Sequence, residues 1–412
     1  MPPLLPPPDQ APDDQDSATQ DVPYDAGSSD VVDTEDGGAF VTLPDEGGRP
    51  PSYGEFFANL VDEDWLAPHL DDIVMDLLEK VELDTRAREA RDKLQAEGLR
   101  RTGFSEDAPG GATFTGASKV VHPMIGKASI DFGARLIKEM FPPDGPVKAK
   151  VVGEVTAVKV EKGERKANHM NWQLTEQMPE FRPQLEQLET QVPMGGAQYL
   201  KIYYDAQLKR PASDVIWVDN MLLPAGAASF LSARRRTNVL LLTEQEYKRR
   251  VDAGMYVDAD LLGTAVMPEL TKSEKANEKI EGKKVSPYNE DGLRRFYELY
   301  VWHEVDADPE RPEEWRSTPY IITIDESTYV PVGFYRNWDP TIAQNRGVVE
   351  ELQHVVEFPF IPWRGAYPLG LFHLIGGMAI AATGSLRALL DSAHLNNSQT
   401  AIKLKGLTRG GQ

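Results

Sequence analysis

Residues 367–397, YPLGLFHLIGGMAIAATGSLRALLDSAHLNN, set the tightest limit on what this chain can fold into. They open on a Pro/Gly turn and carry no Asp, Glu, Lys or Arg before Arg387. A membrane span needs about twenty strongly apolar residues with anchors at both ends. Here His373, Gly376-Gly377 and Thr383-Gly384-Ser385 interrupt the run, and flanking basic anchors and a distal aromatic belt are missing. The expectation is therefore a buried helix rich in small residues. Its period puts Leu374, Met378, Ala381, Ser385 and Leu389 inward, and Gly376, Ala379, Ala382 and Ala388 where another backbone can come close.

The remainder of the chain is polar enough to be globular. Its 412 residues could hold two or three domains, with 26% charged and 41% hydrophobic residues. Lys and Arg number 44 against 65 Asp and Glu, a formal charge of −21. That argues against a protein gripping nucleic acid through a basic face, because phosphate contacts need clustered cations. With no cysteine, disulfide staples, thiolate catalysis and Cys-ligated zinc are excluded. The opening MPPLLPPPDQAPDD has neither a basic nor an apolar signal region, so no secretory signal is expected.

Residues 1–51 are rich in Pro, Asp, Gly and Ser, and Arg49 is their one base. Such a stretch cannot bury enough apolar surface to offset its ordering entropy and reads as a disordered acidic tail. Residues 52–146 read as a helical region. Phe56, Leu60, Leu70, Ile73, Leu77 and Val81 recur at helical spacing. The charged run 85–101 reads as an exposed helix with few buried positions. Pro123 starts a further helix with Ile125, Ser129, Phe132, Leu136 and Met140 on one face, and Pro142-Pro143 stop it.

Residues 147–366 read as an α+β domain. The valine-rich 147–163 alternates and predicts a strand or hairpin. Helices follow around 167–178 and 183–192, then a strand with Leu200, Ile202 and Tyr204 on one face. Segments 214–227 and 234–242 read as extended. Thr243-x-x-Glu246 opens a short helix that Gly254 stops. Residues 272–291 are polar without a period and predict a long loop. Residues 293–306 read as a strand, and 319–336 as a hairpin around Asp325-Glu326-Ser327. Irregular mixing of helices and antiparallel strands favours the α+β class.

Chemical signals are few. GGATFTGASK (110–119) fails as a phosphate loop, because its second Gly is not next to Lys119 and no apolar strand precedes it. The seven histidines are scattered, and none has the spacing of a metalloprotease helix. No nucleophile elbow appears. Asp and Glu are too abundant to be selective, so a metal-dependent hydrolase or nuclease with dispersed carboxylates stays open as an alternative without named residues. ARRRTN (233–238) is the one dense basic cluster. In a strand Arg234 and Arg236 share a face opposite Arg235. They serve either as a charged edge or as a subunit interface toward an acidic neighbour.

Four stretches, in order, resemble one family. They are TGASKVVHPMIGKASIDFGARLIKEMFP, MNWQLTEQMPEFRPQLEQLETQVPMGGAQYLKIYYD, VDNMLLPAGAASFLSARRRTNVLLLTEQEYKRRVDAGMY and FPFIPWRGAYPLGLFHLIGGMAIAATGSLRALLDSAHLNNSQTAIKLKG. Together they are similar to the wing region of portal proteins from short-tailed double-stranded-DNA phages. The resemblance makes residues 367–412 the wing helix and a following strand, leading toward a stem. In that family the stem helices, clip, tunnel loop and crown would come after KLKGLTRGGQ. It implies a homo-oligomeric ring, typically a dodecamer, at the capsid portal vertex of a virion assembled in the host cytoplasm. Double-stranded DNA would pass through the ring without sequence-specific binding. Terminase, scaffold, major capsid protein and tail or head-completion proteins would be its partners. No catalytic activity, cofactor, metal or membrane span is implied, and the DNA-contact residues cannot be carried over. A third possibility is an adaptor that uses the acidic tail to dock on a partner.

Overall fold

Helices and antiparallel strands alternate irregularly along the chain, giving an α+β fold. The computed structural model describes residues 30–33, 39–42, 53–105, 116–153, 155–205, 207–259, 269–283 and 292–397. Residues 1–52 and 53–412 form separate units. In the first, β1 (Asp30–Asp33) pairs antiparallel with β2 (Ala39–Thr42), Val31 opposite Val41. That pair departs from the expected wholly disordered tail. Both segments are short runs of valine or phenylalanine, residues that favour extended backbone. The rest of the expected tail lies outside the described residues.

The second unit runs through α1 (Tyr53–Phe56), α2 (Ala67–Arg100), α3 (Met124–Met140), α4 (Ala157–Trp172) and α5 (Phe181–Gly195). Then come β3 (Ala197–Asp205), β4 (Arg210–Ile216), β5 (Met221–Leu222), β6 (Arg235–Leu242), α6 (Glu244–Asp252) and α7 (Lys272–Glu281). The chain continues through β7 (Arg294–His303), β8 (Thr318–Asp325), β9 (Pro331–Arg336), α8 (Pro340–Arg346), β10 (Val355–Pro359) and α9 (Leu371–Asn397). Five strands form a sheet in the order β5-β6-β7-β8-β9, and three form another in the order β10-β3-β4.

Strand β7 organises the layers through its period of two. Leu299 and Val301 point to one face, where Ile73, Val74, Leu77 and Val81 of α2 join Tyr320, Ile322, Phe334 and Trp338 in the largest apolar cluster. The opposite face meets two other elements. Phe296 packs with Tyr247 and Tyr256 around α6, and Tyr300 packs with Tyr199 and Ile216 of the three-stranded sheet. Between these, Glu298 takes the Lys201 ammonium from β3. The far side of the three-stranded sheet carries α5, through Leu185, Leu188 and Val192 against Leu200. Helix α3 lies on α5, where the Ser129 hydroxyl donates to the Thr190 carbonyl at 2.5 Å. Helix α9 meets α3 at Ile125, Leu371 and Ala379.

The polar half of α2 ties these layers together. Residues 85–101 continue the same helix and are not the exposed rod that their charge suggests. The Arg88 side chain, 3% exposed, donates to the carbonyls of Val218 at 2.9 Å and Met221 at 2.8 Å, and to that of Asp219. Asp92 balances its charge at 2.9 Å. Arg91 donates to Gly195 at 2.6 Å and Pro368 at 3.0 Å, and its guanidinium lies over the Tyr367 ring. Gly195 ends α5, so Arg91 meets the negative end of that helix. The next residue, Gly196, has φ +83, and a Cβ there would lie 2.6 Å from the Pro368 carbonyl oxygen. Only glycine fits this contact between the end of α5 and the approach to α9.

Two further expectations change. Residues 147–163 do not form a strand. Thr156 caps α4 by accepting from the Lys159 amide, and Glu161 pairs with Arg165 one turn on. Alternating valines make a strand only where a sheet edge receives them, and no described strand does so here. Nor is 272–283 a loop. Thr271 and Glu274 form a capping box, and Gly282 closes α7 with φ +69. Residues 284–291 lie outside the described residues.

Arg88→Leu strands those carbonyls and the Asp92 carboxylate together. Urea unfolding is expected to show a loss of about 3 kcal/mol or more, the usual cost of breaking a buried charge network.

Candidate assembly surface

Helix α9 turns the expected face around. Leu374, Met378 and Leu389 are 64%, 62% and 69% exposed, and Ala381 and Ser385 between them are also outward. The buried positions are Leu371, Gly376, Ala379 and Thr383. The period was legible, but the choice of face follows from what lies against the helix. Phe372 reaches α2 at Gly98, where a Cβ would sit 3.1 Å from it. Further along, backbone from 116–123 runs beside α9. The His122 amide donates to Thr383 Oγ1 at 3.2 Å, the Ser118 amide to Asp391 Oδ1 at 2.7 Å, and Arg387 Nε to the Val120 carbonyl at 2.8 Å. A helix flank covered by backbone needs small and polar side chains. The large apolar ones are left to face outward. By length and composition α9 could cross a membrane, and only 17% of its most apolar window is buried.

Helix α4 is a second uncovered element. None of its residues is buried, and Val158, Met170 and Trp172 are exposed on it, with Val152 and Val155 just before it. The outer part of β3 behaves alike. Leu200 enters the core, whereas Ile202 and Tyr204 on the same face are exposed.

The basic cluster keeps the alternation expected of a strand. Arg235 turns to α2 and donates to both oxygens of Asp84, at 2.8 and 2.9 Å. Arg234 and Arg236 lie on the other side, around Trp302 and Glu351. Trp302 Nε1 donates to Glu351 at 3.2 Å, and Arg236 pairs with the same carboxylate. Arg236 is 4% exposed, so its charge is satisfied within this chain. Arg234 precedes β6, is exposed, and stacks its guanidinium 4.4 Å from the Trp302 ring centre. Sequence separation hid these partners, since Glu351 is 115 residues from Arg236.

Carboxylates with raised pKa values are dispersed. Burial lifts Glu189 on α5 to about 7, with Glu186 adding to it. Burial likewise lifts Glu357 on β10 to about 7, against the pull of Arg91. Asp219, in the turn after β4, rises to about 6. Among the described residues no group of three or more His, Asp or Glu side chains converges as a metal site would require. Of the glycine loop 110–119, residues 110–115 lie outside the described residues, as does the strand expected after α9.

Arg236→Leu leaves Glu351 buried without its cation, and unfolding should reveal a loss of about 3–5 kcal/mol. Arg234→Ala removes one exposed cation–π contact and should cost less than about 1 kcal/mol. Glu189 has neither carboxylate oxygen hydrogen-bonded. Its raised pKa means the native state holds the proton more tightly than the unfolded chain. Stability from this group is complete below the ordinary 4.5 and falls as pH rises through about 7. Glu189→Gln should therefore match the parent's urea midpoint in acid and exceed it above neutrality.

Neither a scan against protein-family models nor a search of curated proteins gives a match for this chain.

Proposed function

We propose that this chain is a structural subunit of a closed ring of the phage-portal kind, through which double-stranded DNA enters and leaves a capsid. The outward apolar stripe of α9 carries the reading. Each of Leu374, Met378 and Leu389 would contribute about 1.5–3 kcal/mol on full burial, so a neighbouring copy covering them has a strong driving force. A lipid environment suits this helix less well. Its flank carries Arg387 and Asp391 bound to polar backbone of the same chain, and its outer stripe includes Gly377, Gly384 and Ser385.

A ring closes only if each subunit presents two different faces. The uncovered α4 supplies a second face, distinct in sequence from α9. Of the two basic residues expected at an interface, Arg234 is the exposed one, which supports a contact there with a neighbour's carboxylate. The net charge of −21 supports a conduit over a binder, because an acidic surface releases a polyanion. On this reading the subunit hydrolyses nothing. A terminase docks on the ring and supplies the work, and scaffold, major capsid protein and tail proteins bind in turn. The four-part resemblance to portal wing regions supports these partners.

Light scattering on the full chain, with electron-microscope images of the same sample, tests the reading. Closed rings with a central hole are expected. A persistent monomer at micromolar concentration would overturn it. Met378→Asp should shift the particles to monomers while leaving the monomer's unfolding midpoint nearly unchanged, as for most surface substitutions.

A further inference from the structure

Helix α4 is 16 residues long and buries none of them. One flank lies along the segment that precedes it. The Val147 amide donates to Asn171 Oδ1 at 2.8 Å, and Asn171 Nδ2 donates back to the Val147 carbonyl at 3.1 Å. Nearer the start of the helix, a Cβ on Gly163 would lie 3.3 Å from the Ala149 methyl. Helical spacing puts Gly163, Ala167 and Asn171 on this flank. It puts Val158, Lys162, Arg165 and Trp172 on the opposite one, where all four are exposed. The helix carries four cations, Lys159, Lys162, Arg165 and Lys166, against Glu161 and Glu164. In a chain of charge −21 it is a basic element with apolar side chains at both ends of its outer face. Such a face is what a partner of opposite charge would cover.

The first half of α2 offers the complementary surface. Ile73, Leu77 and Val81 turn to the five-stranded sheet, so Asp72, Met75, Glu79 and Glu82, three or four residues apart, turn outward. Residues 62–83 hold eight acids and one base, Lys80, which Asp76 already pairs at 2.5 Å. Among these carboxylates Met75 and Leu83 are 58% and 54% exposed. Segment 304–314 is also acidic, but it exposes no large apolar side chain. The α2 face therefore matches α4 in both respects, carboxylates against cations and apolar side chains against apolar side chains. Both surfaces are open in the single chain, so they do not cover each other within it.

We infer that α4 of one copy packs on the outer face of the first half of α2 of the next copy, with Lys162 and Arg165 against Asp72 and Glu79. The inference rests on the ring reading and gives it one specific contact. Because the two surfaces differ, the contact is heterologous and repeats from copy to copy in one direction. Burial of Val158, Trp172, Met75 and Leu83 supplies the driving force, and the charges select the pairing and its register.

Charge reversal in the full chain, read by light scattering over a dilution series, tests it. Lys162→Glu with Arg165→Glu should raise the concentration at which particles dissociate by about tenfold or more, and so should Asp72→Lys with Glu79→Lys. All four substitutions in one chain should restore assembly. Mixing the two double variants should restore it too, because each then supplies the charge that the other needs. The exposed positions leave the urea midpoint of each variant's monomer nearly unchanged. If the parent chain stays monomeric, the inference falls together with the ring reading. If the parent forms rings that neither double variant weakens, or if the fourfold variant assembles no better than the double ones, the inference falls and the ring reading stands.

Discussion

The structure depends on a helix that packs through apolar side chains at one end and through directed polar bonds at the other. The first half of α2 binds the five-stranded sheet through Ile73, Leu77 and Val81, as any amphipathic helix would. Its second half uses directed bonds. Asp84 holds Arg235 of β6, Arg88 gathers the carbonyls of the 218–221 turn, and Arg91 holds the end of α5 and Pro368. Hydrophobic contact alone tolerates sliding, whereas guanidinium groups aimed at fixed carbonyls do not. Both sheets and the approach to α9 therefore take their positions from one rod.

That arrangement explains which parts of the fold the sequence could reveal. The β8–β9 hairpin and the α6 helix were legible because their signals are local: alternating apolar residues, a Thr-x-x-Glu start and a glycine stop. Helix α7 carries the same start at Thr271 and stop at Gly282, but it shows no apolar period. Its apolar contacts are those of Ala276 and Ile280 with Ala96 and Leu99. Valines at 147–163 pointed to a strand because alternation was visible and the absence of a receiving edge was not. Arg88 looked like one more charge on a solvated face. The carbonyls it holds lie 130 or more residues away, where no spacing rule reaches.

The same limit applies to the surface. The stripe from Leu374 to Leu389 was readable as a stripe, but its direction was set by Phe372 and the 116–123 backbone. The Arg234–Arg236 alternation was also readable, while the division of labour was not. Arg236 stabilises the fold through Glu351, and Arg234 remains outside over Trp302. Large apolar side chains left outside a well-packed interior form a surface that a covering partner would bury. The portal-like reading rests on that pattern together with the resemblance of the wing segments.

The chain contains no cysteine, so a single introduced thiol reports on one place alone. Leu389→Cys places it on the outer stripe of α9. The most direct measurement is the rate of its alkylation as the protein is diluted from micromolar to nanomolar concentration. If α9 is covered by a neighbouring copy, labelling will be slow in concentrated protein and will rise as particles dissociate. Equal and rapid labelling at every concentration would contradict the account.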